Sequence, residues 1–191
     1  MLMKGMSSMY NYYPPYPCPY LANLPYYTMS QSPYWYSSPG YQPPSPHCPQ
    51  QPIALKDYGP QPFVVNIEQA TRQNQNFRLA LWTGCHLQLT LMSINPGDDI
   101  GLEMHPQVDQ FIRIQEGQGA VKMGDCKERL DFQREVFADY AIFIPAGTWH
   151  NVINTGRTPL KLYSIYAPPE HPHGTVQKTK QDADKPCYCY D

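Results

Sequence analysis

Charge is scarce in the first 52 residues, and long apolar runs are absent from the whole sequence. Lys4 is the only charged residue before Ile53. No stretch of about 18 apolar residues occurs, which argues against a membrane-spanning helix, and no apolar segment follows Lys4, so we expect no secretory signal. The net charge of −2 provides no basic excess, so neither nucleic acid nor an anionic membrane is expected as a partner.

Cysteine is sparse in the part of the sequence whose pattern is globular. Of the six cysteines, only Cys85 and Cys126 lie there, and the other four are near the two ends. A secreted domain held by disulfides would concentrate its cysteines in the folded region. The pattern therefore predicts a thiol protein that is synthesised in the cytoplasm.

Residues 1–52 have the composition of a segment without a core. They hold 12 of the 22 prolines and 10 of the 16 tyrosines, with few aliphatic residues, so we predict a disordered or polyproline-like tail. It is either a flexible leader without function or an adhesive, cross-linking arm, because phenols and thiols couple oxidatively. Cys187-Tyr188-Cys189-Tyr190 repeats both residue types at the other end. The second interpretation predicts a homo-oligomer or cross-linked assembly, such as a bacterial spore coat.

Short strands separated by turns are predicted from residue 61 onward. Alternation of apolar and polar residues every second position is typical of half-buried strands, and Gly and Pro turns recur about every ten residues. Helix is expected only at 68–74 and near 178–184. The pattern favours an all-β sandwich or closed barrel. The predicted strands cover 63–67, 76–82, 86–94, 110–115, 119–123, 141–144, 149–154 and 160–166.

Two stretches carry a family signature. The first runs from Gly97 to Gly117, and the second from Asp139 through a Pro-x-Gly turn and His150 to Asn154. Their spacing resembles the paired motifs of the cupin superfamily, and more closely a group of small single-domain bacterial cupins called mannose-6-phosphate-isomerase-like. The resemblance implies a double-stranded β-helix, that is, a cupin β-barrel. We predict a cupin domain over 61–169, between a tail at 1–52 and a polar tail at 170–191.

The resemblance also implies a metal site inside the barrel. Glu103 stands where the family's first histidine is usual, and Gln110 where its glutamate is usual, whereas His105 and His150 match. Because residues two apart on a strand share a face, we expect Glu103 and His105 to project together into the barrel. The predicted ligands of a divalent Fe, Mn, Ni, Co or Zn ion are Glu103, His105, Gln110 and His150.

Other interpretations of these residues stay open. Some cupin barrels hold no metal and use the same positions for polar packing, Glu103 is alternatively a base beside the metal, and Gln110 alternatively orients water. His86 is expected as a surface or strand residue and not as a ligand. His171 and His173 are expected in an exposed loop or, alternatively, at the mouth of the pocket. Asp109 is expected to pair with Arg113 or to cap a turn.

Three functions fit the sequence. The first is a metal-dependent isomerase or oxygenase that acts on a small polar or sugar-like compound in the barrel. The second is a module that binds a metal or a sugar without turnover. The third is a structural role, in which the barrel carries the Tyr/Cys-rich ends into an assembly. Fold alone does not choose among them.

Overall fold

Strands dominate the computed structural model, which describes residues 51–183. Within that range there are nine strands and two short helices. The helices are α1 (Ile67–Gln73) and α2 (Lys180–Ala183). The strands are β1 (Arg78–Thr83), β2 (Gln88–Ile94), β3 (Asp109–Glu116), β4 (Gln118–Gly124), β5 (Phe132–Phe137), β6 (Ala141–Ile144), β7 (Trp149–Asn154), β8 (Leu160–Ala167) and β9 (Val176–Gln177).

Two antiparallel sheets enclose one core. The larger has the order β6-β3-β8-β2-β1-β9 and the smaller the order β5-β4-β7. Met92, Ile114 and Leu162 of the larger sheet belong to the same buried cluster as Val121 and Val152 of the smaller one. Each such side chain stabilises the fold by about 1.5–3 kcal/mol on burial. The predicted all-β barrel, a double-stranded β-helix, is confirmed.

An N-terminal segment covers part of the outer face of the larger sheet. Ile53, Leu55, Tyr58 and Phe63 pack with α1 against buried leucines of β1 and β2. The strand predicted at 63–67 is wrong: within the described chain this stretch pairs with no strand, and helix α1 begins at its last residue. Its apolar residues cover the sheet from outside and take no part in a ladder.

The other predicted elements lie within a few residues of their predicted bounds. The helical turn predicted at 68–74 is α1, and the one near 178–184 is α2. Strands β5 and β9 were not predicted. Cys85 and Cys126 are exposed free thiols. No helix among residues 51–183 is both long and apolar enough to cross a membrane. Residues 1–50 of the predicted tail and the whole Cys-Tyr terminus, 187–190, lie outside the described residues.

Candidate metal centre

Backbone pairing brings Glu103 and His150 together. The N–H of each residue donates to the carbonyl of the other, at 3.0 and 2.9 Å. The regular strand expected through 102–105 is wrong, because only Glu103 makes a bridge there. Gly101 precedes it with a φ of 95°, a conformation that favours glycine. His105 is held by its own carbonyl, which accepts from the Gly147 N–H at 2.8 Å.

Three side-chain atoms converge at this point. Glu103 Oε1 lies 3.5 Å from His105 Nε2 and 3.4 Å from His150 Nε2. An ion bound at about 2.1 Å from each atom would separate neighbouring ligands by about 3.0–3.4 Å at octahedral or tetrahedral angles. The three atoms are buried and have no hydrogen-bond partner among residues 51–183. Glu103, His105 and His150 thus form a group that could hold a metal ion.

The opposite ring nitrogen of each histidine has a partner. His150 Nδ1 lies 2.8 Å from the Thr148 carbonyl, and His105 Nδ1 lies 3.2 Å from Glu170 Oε1. Each Nδ1 therefore has an acceptor for its N–H, so that Nε2 can present its lone pair when a metal ion is bound. Both rings are oriented with Nε2 towards Glu103 Oε1.

The charges around Glu103 keep it ionised. Burial alone would raise the pKa of this carboxyl group, but the imidazoles of His105 and His150 and the charge of Arg78 outweigh burial and lower the pKa to about 2. Burial would likewise lower the pKa of His105, but Glu103 and Glu170 raise it above its ordinary value. Neutral His105, the form that binds metal, is thus favoured at higher pH.

Gln110 lies on β3 inside the barrel and is 3 % exposed. Its Nε2 donates to Ser164 Oγ at 2.9 Å, and its Oε1 has no hydrogen-bond partner within residues 51–183. The donor bond to Ser164 fixes the orientation of the amide. Its oxygen therefore remains available as a ligand or as an acceptor for water.

Three residues beside the cluster were missed as site residues. Arg78 lies 3.8 Å from Glu103 Oε2, and Glu170 contacts His105. Tyr166 is fully buried, with its ring 5.7 Å from that of His105. The strand pattern marked Arg78 and Tyr166 only as strand residues. Glu170 follows the last strand of the family signature and has no periodic signal.

The remaining candidates divide between pocket and surface. Of the two expected positions, His171 takes the one at the pocket: it is half-buried, and its ring packs edge-on against Tyr166 at 5.0 Å. His173 lies in an exposed loop and contacts the Gly59 carbonyl, and His86 is exposed. Asp109 caps a turn by accepting from the Ala146 N–H, whereas Arg113 pairs with Asp139.

Known proteins share this fold and sequence. Residues 90–166 match the cupin domain family. An uncharacterised protein, YrkC of Bacillus subtilis strain 168, is 70 % identical over 131 residues, which span 69 % of this chain and 70 % of that protein. Uncharacterised protein L612 of Acanthamoeba polyphaga mimivirus is 43 % identical over 117 residues, or 61 % of this chain and 71 % of that protein.

A solved structure is similar to this chain in both sequence and fold. The crystal structure of BH2720 from Bacillus halodurans has 67 % sequence identity and a TM-score of 0.68, and the match covers 68 % of this chain and 98 % of that one. The two motifs, the barrel and these relatives together establish that the chain belongs to the cupin superfamily.

Proposed function

We propose that the protein binds a divalent metal ion through Glu103 Oε1, His105 Nε2 and His150 Nε2, with Gln110 Oε1 as a further ligand. The observation that carries the proposal is the convergence of the first three atoms, buried and unpartnered within the described chain, while both Nδ1 atoms are anchored. One carboxylate and two imidazoles suit Fe, Mn, Ni, Co or Zn.

The donor set implies a metal that stays electrophilic. A divalent ion held by a single carboxylate keeps a net positive charge, and it can polarise a bound carbonyl or acidify water. Glu103 contributes the one ligand charge, and Glu170 holds the His105 ring in position from its far side.

Metal analysis of the purified protein tests the site. We expect about one equivalent of Mn, Fe, Co, Ni or Zn per chain after metal loading and dialysis, and a loss of at least about tenfold in affinity for His105→Ala or His150→Ala. His86→Ala is the matched control, because His86 is exposed. Failure of all five ions to bind, or equal binding by the three variants, would contradict the proposal.

We further propose that any turnover is metal-dependent chemistry on a small carbonyl or sugar-like compound. The resemblance to the mannose-6-phosphate-isomerase-like group makes isomerisation one candidate, and the two-histidine, one-carboxylate set makes oxygenation another. Wild type and His105→Ala should be assayed against sugar phosphates and oxidisable small molecules. Activity that survives in His105→Ala would exclude the metal-dependent mechanism.

A structural function for the chain ends is a second proposal. It rests on the 10 tyrosines, on Cys18 and Cys48, and on the near absence of charge in residues 1–52. We expect that mild oxidation of the full chain forms covalent oligomers on denaturing gels, and that a chain starting at Ile53 forms fewer. If both chains stay monomeric, the cross-linking role is excluded. A bacterial spore coat, reached after cytoplasmic synthesis, is the setting that this composition favours.

A further inference from the structure

Arg78 is a buried cation with unused hydrogen-bond donors. It lies at the start of β1, inside the barrel, and is 4 % exposed. Its Nη1 donates to Gln177 Oε1 at 3.1 Å, but Nε and Nη2 have no hydrogen-bond partner anywhere in residues 51–183. A buried charged donor left without a hydrogen bond is costly, because it loses its bonds to water and gains none in return. Such a group therefore points to an acceptor that residues 51–183 do not supply.

The two free nitrogens lie on one edge of the guanidinium group. Nε–H and Nη2–H point the same way, and such a planar edge matches the two oxygens of a carboxylate. Glu103 does not fill this role, because its Oε2 is 3.8 Å from Nη2 and its Oε1 faces the two histidines. Glu103 thus faces Arg78 with one oxygen and the two histidines with the other, so Arg78 lies next to the candidate metal position.

Further polar atoms near Arg78 also lack partners. The Tyr166 hydroxyl, Thr90 Oγ1 and His171 Nε2 are buried and make no hydrogen bond of ordinary geometry in the described part of the chain, although the Tyr166 hydroxyl lies near those of Thr90 and Ser164. Tyr166 contacts the rings of both His105 and His171, so these groups form one continuous wall. Burial and the charge of Arg78 lower the pKa of His171 to about 3, so its ring is neutral at pH 7. The wall can thus donate hydrogen bonds without adding charge.

The charge balance of the site favours a monoanion. A divalent ion and Arg78 bring three positive charges, against the two carboxylates Glu103 and Glu170. One unit of positive charge remains for a ligand to neutralise. A carboxylate carries one negative charge, whereas a phosphate monoester carries about 1.5–2 at pH 7. The site reaches solvent at Glu103 and Glu170, whose side chains are 22 % and 33 % exposed.

We propose that the ligand of this site is a small monocarboxylic acid with an oxygen on the carbon next to the carboxylate. Its carboxylate binds side-on to Arg78 Nε and Nη2, and its second oxygen faces the metal held by Glu103, His105 and His150. The inference rests on the proposed metal site and narrows the ligand from a small polar compound to a hydroxy or keto acid. Arg78 is the residue that selects for the acid.

Cobalt spectroscopy tests the ligand class. The full chain is loaded with Co(II), and its visible absorption is followed during titration with glycolate, with ethylene glycol and inorganic phosphate as comparison probes. We expect a saturable spectral change with glycolate and none with ethylene glycol. Arg78→Met should weaken glycolate binding at least about tenfold, as expected for a lost charge-assisted pair. Arg129→Met, which removes an exposed arginine, should bind like wild type.

The outcomes distinguish a failure of the metal site from a failure of the carboxylate assignment. If wild type binds no cobalt, the metal site fails and this inference with it. If cobalt binds but glycolate changes nothing, or phosphate binds more tightly, the carboxylate assignment is wrong. Arg78→Lys, which keeps the charge but not the two-donor edge, should retain cobalt and bind glycolate more weakly than wild type. Loss of cobalt in both Arg78 variants would show that Arg78 supports the metal ligands and does not select the acid.

Discussion

The two ends of the barrel interior differ in chemistry, although the same three strands build both. Cross-strand neighbours on β2, β8 and β3 form successive rows that point inward. We call the polar end, near His105, the site end, and the apolar end the packed end. Along the barrel from the site end to the packed end, the rows are Gln88, Tyr166 and Gln110; then Thr90, Ser164 and Ile112; then Met92, Leu162 and Ile114.

The two ends differ in whether their buried polar groups have hydrogen-bond partners. At the packed end, Asn154 is 1 % exposed, and its side chain bonds the Ile94 and Thr158 carbonyls and the Gly156 N–H. At the site end, the guanidinium of Arg78, which extends from the row of Met92 to Glu103, keeps two buried nitrogens without a hydrogen-bond partner in residues 51–183. Unpaired buried groups cost stability. The barrel therefore carries this cost at the end where a ligand can offset it, and its packed end supplies the stability that makes this tolerable.

The largest effect is expected at the packed end. Leu162→Ala should lower the free energy of unfolding by about 2–5 kcal/mol, because Leu162 is fully buried and its loss leaves a cavity. Urea unfolding followed by circular dichroism measures the change. Metal stoichiometry of the folded protein should be unchanged. A loss of metal without a loss of stability would show that the two ends are not separate.

Asn154→Ala should cost about 2–3 kcal/mol of unfolding free energy, because it leaves the carbonyls of Ile94 and Thr158 and the Gly156 N–H without their side-chain partner. The same urea titration measures it. Asn151→Ala is the control on the same strand, since Asn151 is only partly buried. An equal loss of unfolding free energy in the two variants would mean that the hydrogen bonds of Asn154 do not stabilise the fold.

Glu170→Gln should weaken metal binding about 10- to 100-fold, because the carboxylate no longer orients and polarises the His105 ring. The pH dependence provides a second readout. The raised pKa of His105 means that protons compete with metal as the pH falls through that pKa. In the variant that pKa is lower, so affinity should begin to fall at a lower pH. Competition with a metal chelator at several pH values measures both effects, and an unmoved profile would exclude Glu170 as the positioning residue.

The smallest effect on stability is expected at Thr90. Thr90→Val keeps the shape but removes a buried hydroxyl that has no hydrogen-bond partner in residues 51–183. The unfolding free energy should stay within about 0.5 kcal/mol of wild type or rise, because Thr90 Oγ1 makes no hydrogen bond of ordinary geometry and a desolvated group is removed. Thermal unfolding of wild type and variant measures it. A loss above about 1.5 kcal/mol would show that the Thr90 hydroxyl makes a stabilising hydrogen bond, as the side chain of Asn154 does at the packed end.

Sequence pattern predicted the barrel well where one face of a strand is buried. β6 and β7 alternate between exposed or half-buried and buried positions, and their bounds were predicted to the residue. β5 was missed because its centre is three consecutive polar residues and only Val136 is buried. The stretch 63–67 has strand composition, but its apolar residues cover a neighbouring sheet instead of joining one. Composition cannot distinguish these two uses of an extended segment.

The candidate site was predictable only where a motif carries it. Glu103, His105 and His150 stand at spaced motif positions, and the structure brings them together. Arg78 and Glu170 lie outside the matched range of 90–166. Whether Arg78 and Glu170 come close to the cluster depends on where β1 and the turn after β8 lie relative to the barrel. That placement is set by long-range strand register, which no local pattern in one sequence records.

The amide of Gln88 has a consequence for how this pocket can evolve. Its Oε1 accepts from the His171 N–H, and its Nε2 donates to the His171 carbonyl, so one side chain holds the loop by its peptide groups alone. Because these bonds involve only the backbone of residue 171, they do not depend on which side chain this residue carries. Mutation there can replace the imidazole with another group while the loop keeps its place. If the site binds the acid proposed above, position 171 is thus a point at which the ligand preference can change without loss of the barrel or of the histidine pair.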